Sequence, residues 1–176
     1  MPLTTNGLPY PADSAAPNVP ADIQALAEAL DPQAAPTIWA HFQRTTNQTI
    51  QSSVLTPVVG TLLTASGVGY NASSGAMTIG TNGLYLLTGW ITWLVNATGI
   101  RAAYWYRGNP VGSAARLSRA MAAGSAAGQV TTTNTHVIRC VAGDVLWFQA
   151  YQTVGSPLDL DGTLQSTGFE VARISP

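Results

Sequence analysis

Lysine is absent from this 176-residue chain, and all seven of its bases are arginines. Charged residues make up only 9%, and the formal net charge is -1. No face can then carry the dense positive field that phosphate backbones require, so nucleic acid is not expected as a partner. Cysteine occurs once, as Cys140, which excludes an internal disulfide and a cysteine-built metal cluster. Long apolar runs are missing too. The longest stretches fall far short of a membrane span, and no membrane partner is expected. The opening MPLTTNGLPYPADSAAPNVP has neither a basic start nor an apolar run, so it does not read as a secretion signal. The sequons at Asn47, Asn71 and Asn96 then read as chance products of a sequence rich in Thr, Ser and Asn.

Catalytic motifs are equally scarce. The chain holds no Gly-x-Ser-x-Gly, no phosphate loop and no His-Glu-x-x-His. His41 and His136 fall in predicted strands beside apolar neighbours and read as structural histidines. Cys140, between a strand arginine and a valine, reads as a small buried residue. The run LDLDG places Asp159 and Asp161 at alternate positions before a glycine, a spacing that can open a calcium loop. Two carboxylates without a longer series favour a solvated turn instead. GVGYNASSG has glycines but no strand-to-helix context, and reads as a loop. No enzyme activity, cofactor or metal is expected.

What the chain does have is apolar content: 46% hydrophobic residues with 17 glycines, a composition that argues against disorder. Seven of the eleven prolines fall in residues 1–36, so that segment cannot supply strands to a sheet interior. It reads as an N-terminal arm with one short helix, about residues 20–31. Pro20 suits the first turn, Asp22 lies near the positive end, and Pro32 stops the run. Ile23, Leu26, Ala27 and Leu30 form one apolar stripe. A helix so short needs a surface to dock on, whether its own domain, a neighbouring subunit or a larger assembly. With Leu8 and Tyr10, the residues Ile23, Leu26 and Leu30 are the candidate anchoring side chains.

From residue 37 to 176 the chain reads as one β domain. Predicted strands cover 37–44, 58–64, 76–80, 84–95, 100–107, 129–139, 144–152 and 167–174, separated by Gly, Asn, Ser and Pro clusters. Many short strands with no interleaved helix predict an all-β fold, an antiparallel jelly-roll sandwich of about 8–10 strands. Residues 113–128, SAARLSRAMAAGSAAG, stay open between helix, extended strand and crossing loop.

The strand at 84–95 is apolar on both faces. Tyr85, Leu87, Ile91 and Trp93 alternate with Leu84, Leu86, Trp90 and Leu94, and 144–152 repeats the pattern. A two-layer domain covers only one face of each sheet, so association with further copies is the simplest cover for the other. Trp90, Trp93, Trp147 and Tyr151 are the candidate interface residues, with their faces unassigned. Tyr104, Trp105 and Tyr106 place rings on both faces of one strand. Such platforms bind sugars, though the same rings more often anchor cores and interfaces.

At these residues the β domain resembles a known family, the globular head of the first complement component with its tumour-necrosis-factor-like jelly roll. YNASSGAMTIGTNGLYLLTGWITW is similar to the family's tyrosine, turn, strand and Gly-x-Tyr-x-aromatic run, with Gly83, Tyr85 and Leu87 in the last positions. YWYRGNPV resembles its short strand and hairpin, with Asn109 and Pro110 in the turn. VIRCVAGDVLWFQAY resembles its strand entry through Arg139, Gly143 and Asp144, and STGFEVARI its closing strand through Gly168 and Phe169. Met77 and Leu87 depart from the usual aromatics, and no collagen-like stalk precedes the domain. The resemblance implies a ten-strand jelly roll that forms a homotrimer through one apolar sheet face.

The arm, GLPYPADSAAPNVPADIQALAEALD, is similar to the opening segment of many virion proteins of tailed bacteriophages that infect actinobacteria. Together the two resemblances imply a non-enzymatic structural virion protein. It would be a trimeric capsid decoration or a head or tail fibre protein, attached to a phage capsid or tail protein by its arm, with the jelly roll outward. The expected location is the phage particle surface, after synthesis in the bacterial host cytoplasm. The alternative is a tail receptor-binding module that recognises a host-surface glycan.

Overall fold

The structure is a computed structural model, and it describes Gln24 and residues 38–108, 115–163 and 166–176. The chain divides into two units, 1–36 and 37–176. Gln24 is helical; the rest of the expected helix at 20–31 lies outside the described residues, as do Asn109 and Pro110.

The second unit is all-β, built from two antiparallel sheets. In chain order the strands are β1 (Trp39–Gln43), β2 (Gln48–Ile50), β3 (Thr56–Pro57), β4 (Thr61–Ser66), β5 (Val68–Asn71), β6 (Ala76–Ile79) and β7 (Gly83–Trp93). They continue as β8 (Asn96–Arg107), β9 (Ala115–Ser125), β10 (Val130–Cys140), β11 (Val145–Gln152), β12 (Leu158–Leu160) and β13 (Gly168–Ser175). The first sheet runs β2-β12-β7-β13-β1-β4, with β10 paired along the other side of β7; the second runs β5-β6-β11-β8-β9, with β3 beside β11. Consecutive strands repeatedly fall in opposite sheets, which is the winding of a jelly roll.

One open reading takes a definite form, and one expectation is corrected. The open segment 113–128 contains a full strand, β9, hydrogen-bonded along β8 from Asn96↔Ser125 to Arg107↔Ala115. Its alanines do not make a helix because β8 offers a ladder of partners and the short side chains leave both long strands room to pair. The predicted loop GVGYNASSG holds β5, whose Tyr70 pairs with Met77 of β6 before the chain turns. Asn71 makes that turn: its Oδ1 accepts from the backbone N–H of Ser73 and Ser74 at 3.0 and 3.2 Å.

The core lies between the sheets, where Phe42, Tyr85, Leu87, Ile91, Trp93, Trp105, Phe148 and Phe169 are fully buried. Its centre is aromatic. Phe42 stacks on Phe169 at 4.6 Å between ring centroids, Phe148 tilts against Trp105 at 4.8 Å, and Trp105 meets Phe169 edge-on at 6.3 Å. Offset and edge-on arrangements of this kind set the negative ring face against a positive edge. Gly89 sits in the middle of β7 beneath this cluster. A Cβ there would lie 2.8 Å from Cε1 of Phe148 and closer still to Cε2 and Cζ, so the ring occupies the space a side chain would take.

Arg101 is also fully buried, inside the sandwich wall. Its guanidinium donates to the backbone carbonyls of Asn96 and Thr98. Those carbonyls belong to the register shift between Asn96 and Ile100, where β8 carries extra residues relative to β9. Arginine's fixed fork thus ties a bulge that leaves the carbonyls outside the ladder.

Candidate functional site

The outward side of the first sheet is where the two-faced strand shows its second face. Register pairs place Trp39, Ala172, Leu86 and Val137 in one row across β1, β13, β7 and β10. The next row is His41, Glu170, Thr88 and Thr135, and the third contains Gln43, Gly168, Trp90 and Thr133. Trp39, Val137 and Ile174 are exposed large apolar residues, while Leu84, Leu86 and Trp90 are half-buried. Among the residues of these three rows the one formal charge is Glu170, whose Oε1 lies 3.5 Å from His41 Nδ1, and Arg139 stands opposite Leu84 at the edge of the same face. The His41 ring also meets Trp90 edge-on at 6.1 Å. Sequence alternation groups Leu84, Leu86 and Trp90 on one face without saying that it is the outward one, and the contributions of Trp39, Val137 and Ala172 depend on strand neighbours far apart in the chain.

The four predicted interface residues do not share one surface. Trp93 is corrected to a core residue: it is fully buried and its indole Nε1 donates to Thr132 Oγ1 at 3.3 Å. Trp90, three residues earlier, has the opposite parity and lies on the outward side. Trp147 and Tyr151 belong to β11, and so to the other sheet altogether.

The outward side of the second sheet is aromatic. Trp147 pairs with Tyr106, Gln149 with Tyr104 and Tyr151 with Ala102 across β11 and β8. Tyr104 lies 6.0 Å from Tyr106 and 6.3 Å from Tyr151, and the Arg116 guanidinium stands 6.0 Å over the Tyr104 ring. Trp105, the third member of the predicted platform, is corrected to the core. It is fully buried and donates through Nε1 to the carbonyl of Asn134 at 3.2 Å. Alternation along β8 forces this split, because adjacent residues face opposite sides.

The acid pair is used within the fold. Asp159 Oδ1 accepts from the Thr49 hydroxyl at 2.6 Å. Asp161 accepts at Oδ1 from the Thr163 backbone N–H and hydroxyl, and at Oδ2 from Gln129 Nε2 at 2.9 Å. These bonds, led by the Thr163 hydroxyl, lower the Asp161 pKa below the ordinary carboxylate value. Asp161 is a loop organiser here, and no group of three or more potential metal ligands occurs among the described residues. Cys140 is buried, and desolvation pushes its thiol from 9.0 to about 11, with Asp144 adding to the rise. Such a thiol is a poor nucleophile. The candidate anchors Leu8, Tyr10, Ile23, Leu26 and Leu30 lie outside the described residues.

The order of strands, the apolar outward face and the aromatic core can be set beside solved structures. A tumour-necrosis-factor protein, Eiger, from S. frugiperda superposes with a TM-score of 0.64 at 12% identity, over 80% of this chain and 94% of that one. Murine APRIL gives 0.62 at 14% identity, over 78% of this chain and 99% of that one, and a second APRIL structure gives 0.61 at 17%. The fold is the tumour-necrosis-factor-like jelly roll. No protein-family profile and no curated protein sequence matches the chain. At these identities the likeness is one of fold, and jelly rolls of this kind carry many functions.

Proposed function

We propose that this chain is a non-enzymatic structural protein of a tailed-bacteriophage virion. It forms a homotrimer through the outward side of its first sheet and is held on the particle by its N-terminal arm. The observation that carries the reading is the apolar row Trp39–Ala172–Leu86–Val137, flanked by Leu84 and Trp90, on a sheet whose inner side is already filled. A face built mainly from large apolar side chains and threonines, with Glu170 beside His41 in its middle and Arg139 opposite Leu84 at its edge, suits burial against copies of itself. The resemblance of the jelly roll to a trimeric family agrees with that use, and the resemblance of the arm to phage virion segments supports a place on the particle. Three arms on one trimer would grip a capsid or tail protein multivalently, so each contact can be weak.

Light scattering on the intact chain tests the assembly: the expected mass is three times the 18.3 kDa of one chain. Leu86→Arg places an unpaired charge at the centre of the row, which costs several kcal/mol if the row is buried, and the expected product is a smaller species. A wild-type chain that stays monomeric at all concentrations refutes the trimer. Deleting residues 1–36 should give a protein that no longer joins phage particles, and normal incorporation of the deletion refutes the anchor.

A further inference from the structure

At the end of the second sheet, where β8 stops and β11 begins, lies a cavity of about 520 Å³ lined by Arg107, Gly108, Gly143, Asp144, Val145 and Trp147. Its size falls within the range of small-ligand sites. One wall is apolar, from Val145 and the Trp147 ring, and the other is a charged pair. Arg107 Nη2 and Asp144 Oδ2 are 2.8 Å apart.

The frame around this cavity is tied down. Asp144 Oδ2 also accepts from the Val141 N–H at 2.8 Å, and the Gly108 N–H donates to the Val145 carbonyl at 2.8 Å. The Ala142 N–H donates to Asn82 Oδ1 at 2.8 Å and the Gly143 N–H to the Ile79 carbonyl at 2.8 Å. Gly143 adopts φ 92°, and a side chain there would meet no atom of the described residues within 4 Å. A preorganised site loses little on binding. Trp147, only 9% exposed, carries a buried indole Nε1–H with no acceptor among the described residues.

The chemistry narrows the ligand. The arginine charge is matched by a carboxylate at hydrogen-bond distance, so the site has no net field to hold an anion or a cation. A wholly apolar ligand would strip water from that pair and offer nothing in return. A neutral sugar has both kinds of surface: a C–H face for the indole, and vicinal hydroxyls that donate to a carboxylate and accept from a guanidinium. We propose that the Arg107–Asp144–Trp147 cavity is a binding site for a neutral hexose. The aromatic row of Tyr106, Tyr104 and Tyr151 leads away from it along the same sheet side. This site stands apart from the virion reading, because the assembly face is on the other sheet.

Proton–nitrogen correlation spectra of the intact protein give the test, since five tryptophans provide five indole signals. Trp147→Phe assigns the relevant one. The probes are D-glucose, D-galactose and D-mannose, with sodium sulfate as the anion control. The Trp147 indole signal should shift saturably with at least one hexose while the signals of the buried Trp93 and Trp105 stay fixed. Asp144→Asn should weaken that hexose about tenfold or more, as expected for losing a charged hydrogen-bond acceptor. The unmoved Trp93 and Trp105 signals report that this variant is folded, and Arg107→Lys, which loses the fork but keeps the charge, should weaken binding too. No shift with any of the three hexoses overturns the proposal, as does unchanged affinity in Asp144→Asn. A sulfate-only shift that strengthens in Asp144→Asn overturns it in favour of an anion site.

Discussion

Replacing Gly89 by alanine is the sharpest probe of how this sandwich is packed. The added methyl would sit 2.8 Å or less from three carbons of the Phe148 ring, whereas ordinary contact begins at 3.4 Å. The ring must retreat by a substantial fraction of an ångström, and behind it stand Trp105 and Phe169, themselves fully buried. Overpacking of this kind costs about 1–3 kcal/mol. The loss of glycine's freedom in the unfolded chain returns about 0.4–1 kcal/mol. The net expectation is a destabilisation of roughly 1–2 kcal/mol, or several degrees in Tm for a domain of this size. Urea unfolding followed by tryptophan fluorescence, at one fixed chain concentration, measures it. Phe148→Leu removes the obstructing ring edge, so Gly89→Ala should cost little or nothing in that background, a coupling of about 1 kcal/mol or more. If Gly89→Ala is neutral in the wild type, or costs the same with and without the Phe148 ring, the packing argument fails.

Two further outcomes follow from the buried polar groups. The Cys140 thiol is protonated in the native state up to about pH 11, against an ordinary 9.0; the proton is held more tightly when folded, so stability is full below pH 9 and falls as pH rises through that window. The loss is on the order of 2–3 kcal/mol across it, superimposed on tyrosines such as Tyr70 and Tyr85 that burial shifts the same way. Cys140→Ser should flatten the cysteine part of this alkaline slope in denaturation curves, and an unchanged slope refutes it. Asp161 has a lowered pKa, so its contribution is present above the ordinary carboxylate value and is lost as pH falls through the folded one. Asp161→Ala should destabilise by about 0.5–1.5 kcal/mol by removing the acceptor of the Thr163 and Gln129 hydrogen bonds, whose donors lie on exposed residues and can turn to water, and a stability equal to wild type argues that the loop does not depend on it.

The alternation of β residues, the glycine- and asparagine-rich turns and the crowding of prolines into 1–36 were enough to determine an all-β domain behind a chemically different arm. Each acts locally: alternation places neighbours on opposite faces, and proline removes a ladder donor wherever it stands. The same locality sets the limit. In β7 both faces are apolar, so alternation groups Trp93 with Leu87 and Trp90 with Leu86 without saying which group is inside. Only the arrival of Phe148, Phe169 and Trp105 over Gly89 decides that, and those residues come from three other strands. For the same reason Trp105 looked like part of a surface platform until β10 and β13 of the facing sheet closed over it. The alanine-rich 115–125 took strand form because β8 lay beside it. The Arg107–Asp144 pair, thirty-seven residues apart in the chain, became a site only when β8 and β11 met at their ends. Periodicity is written along the chain, but which face is buried and which charges meet are properties of the partners that folding brings.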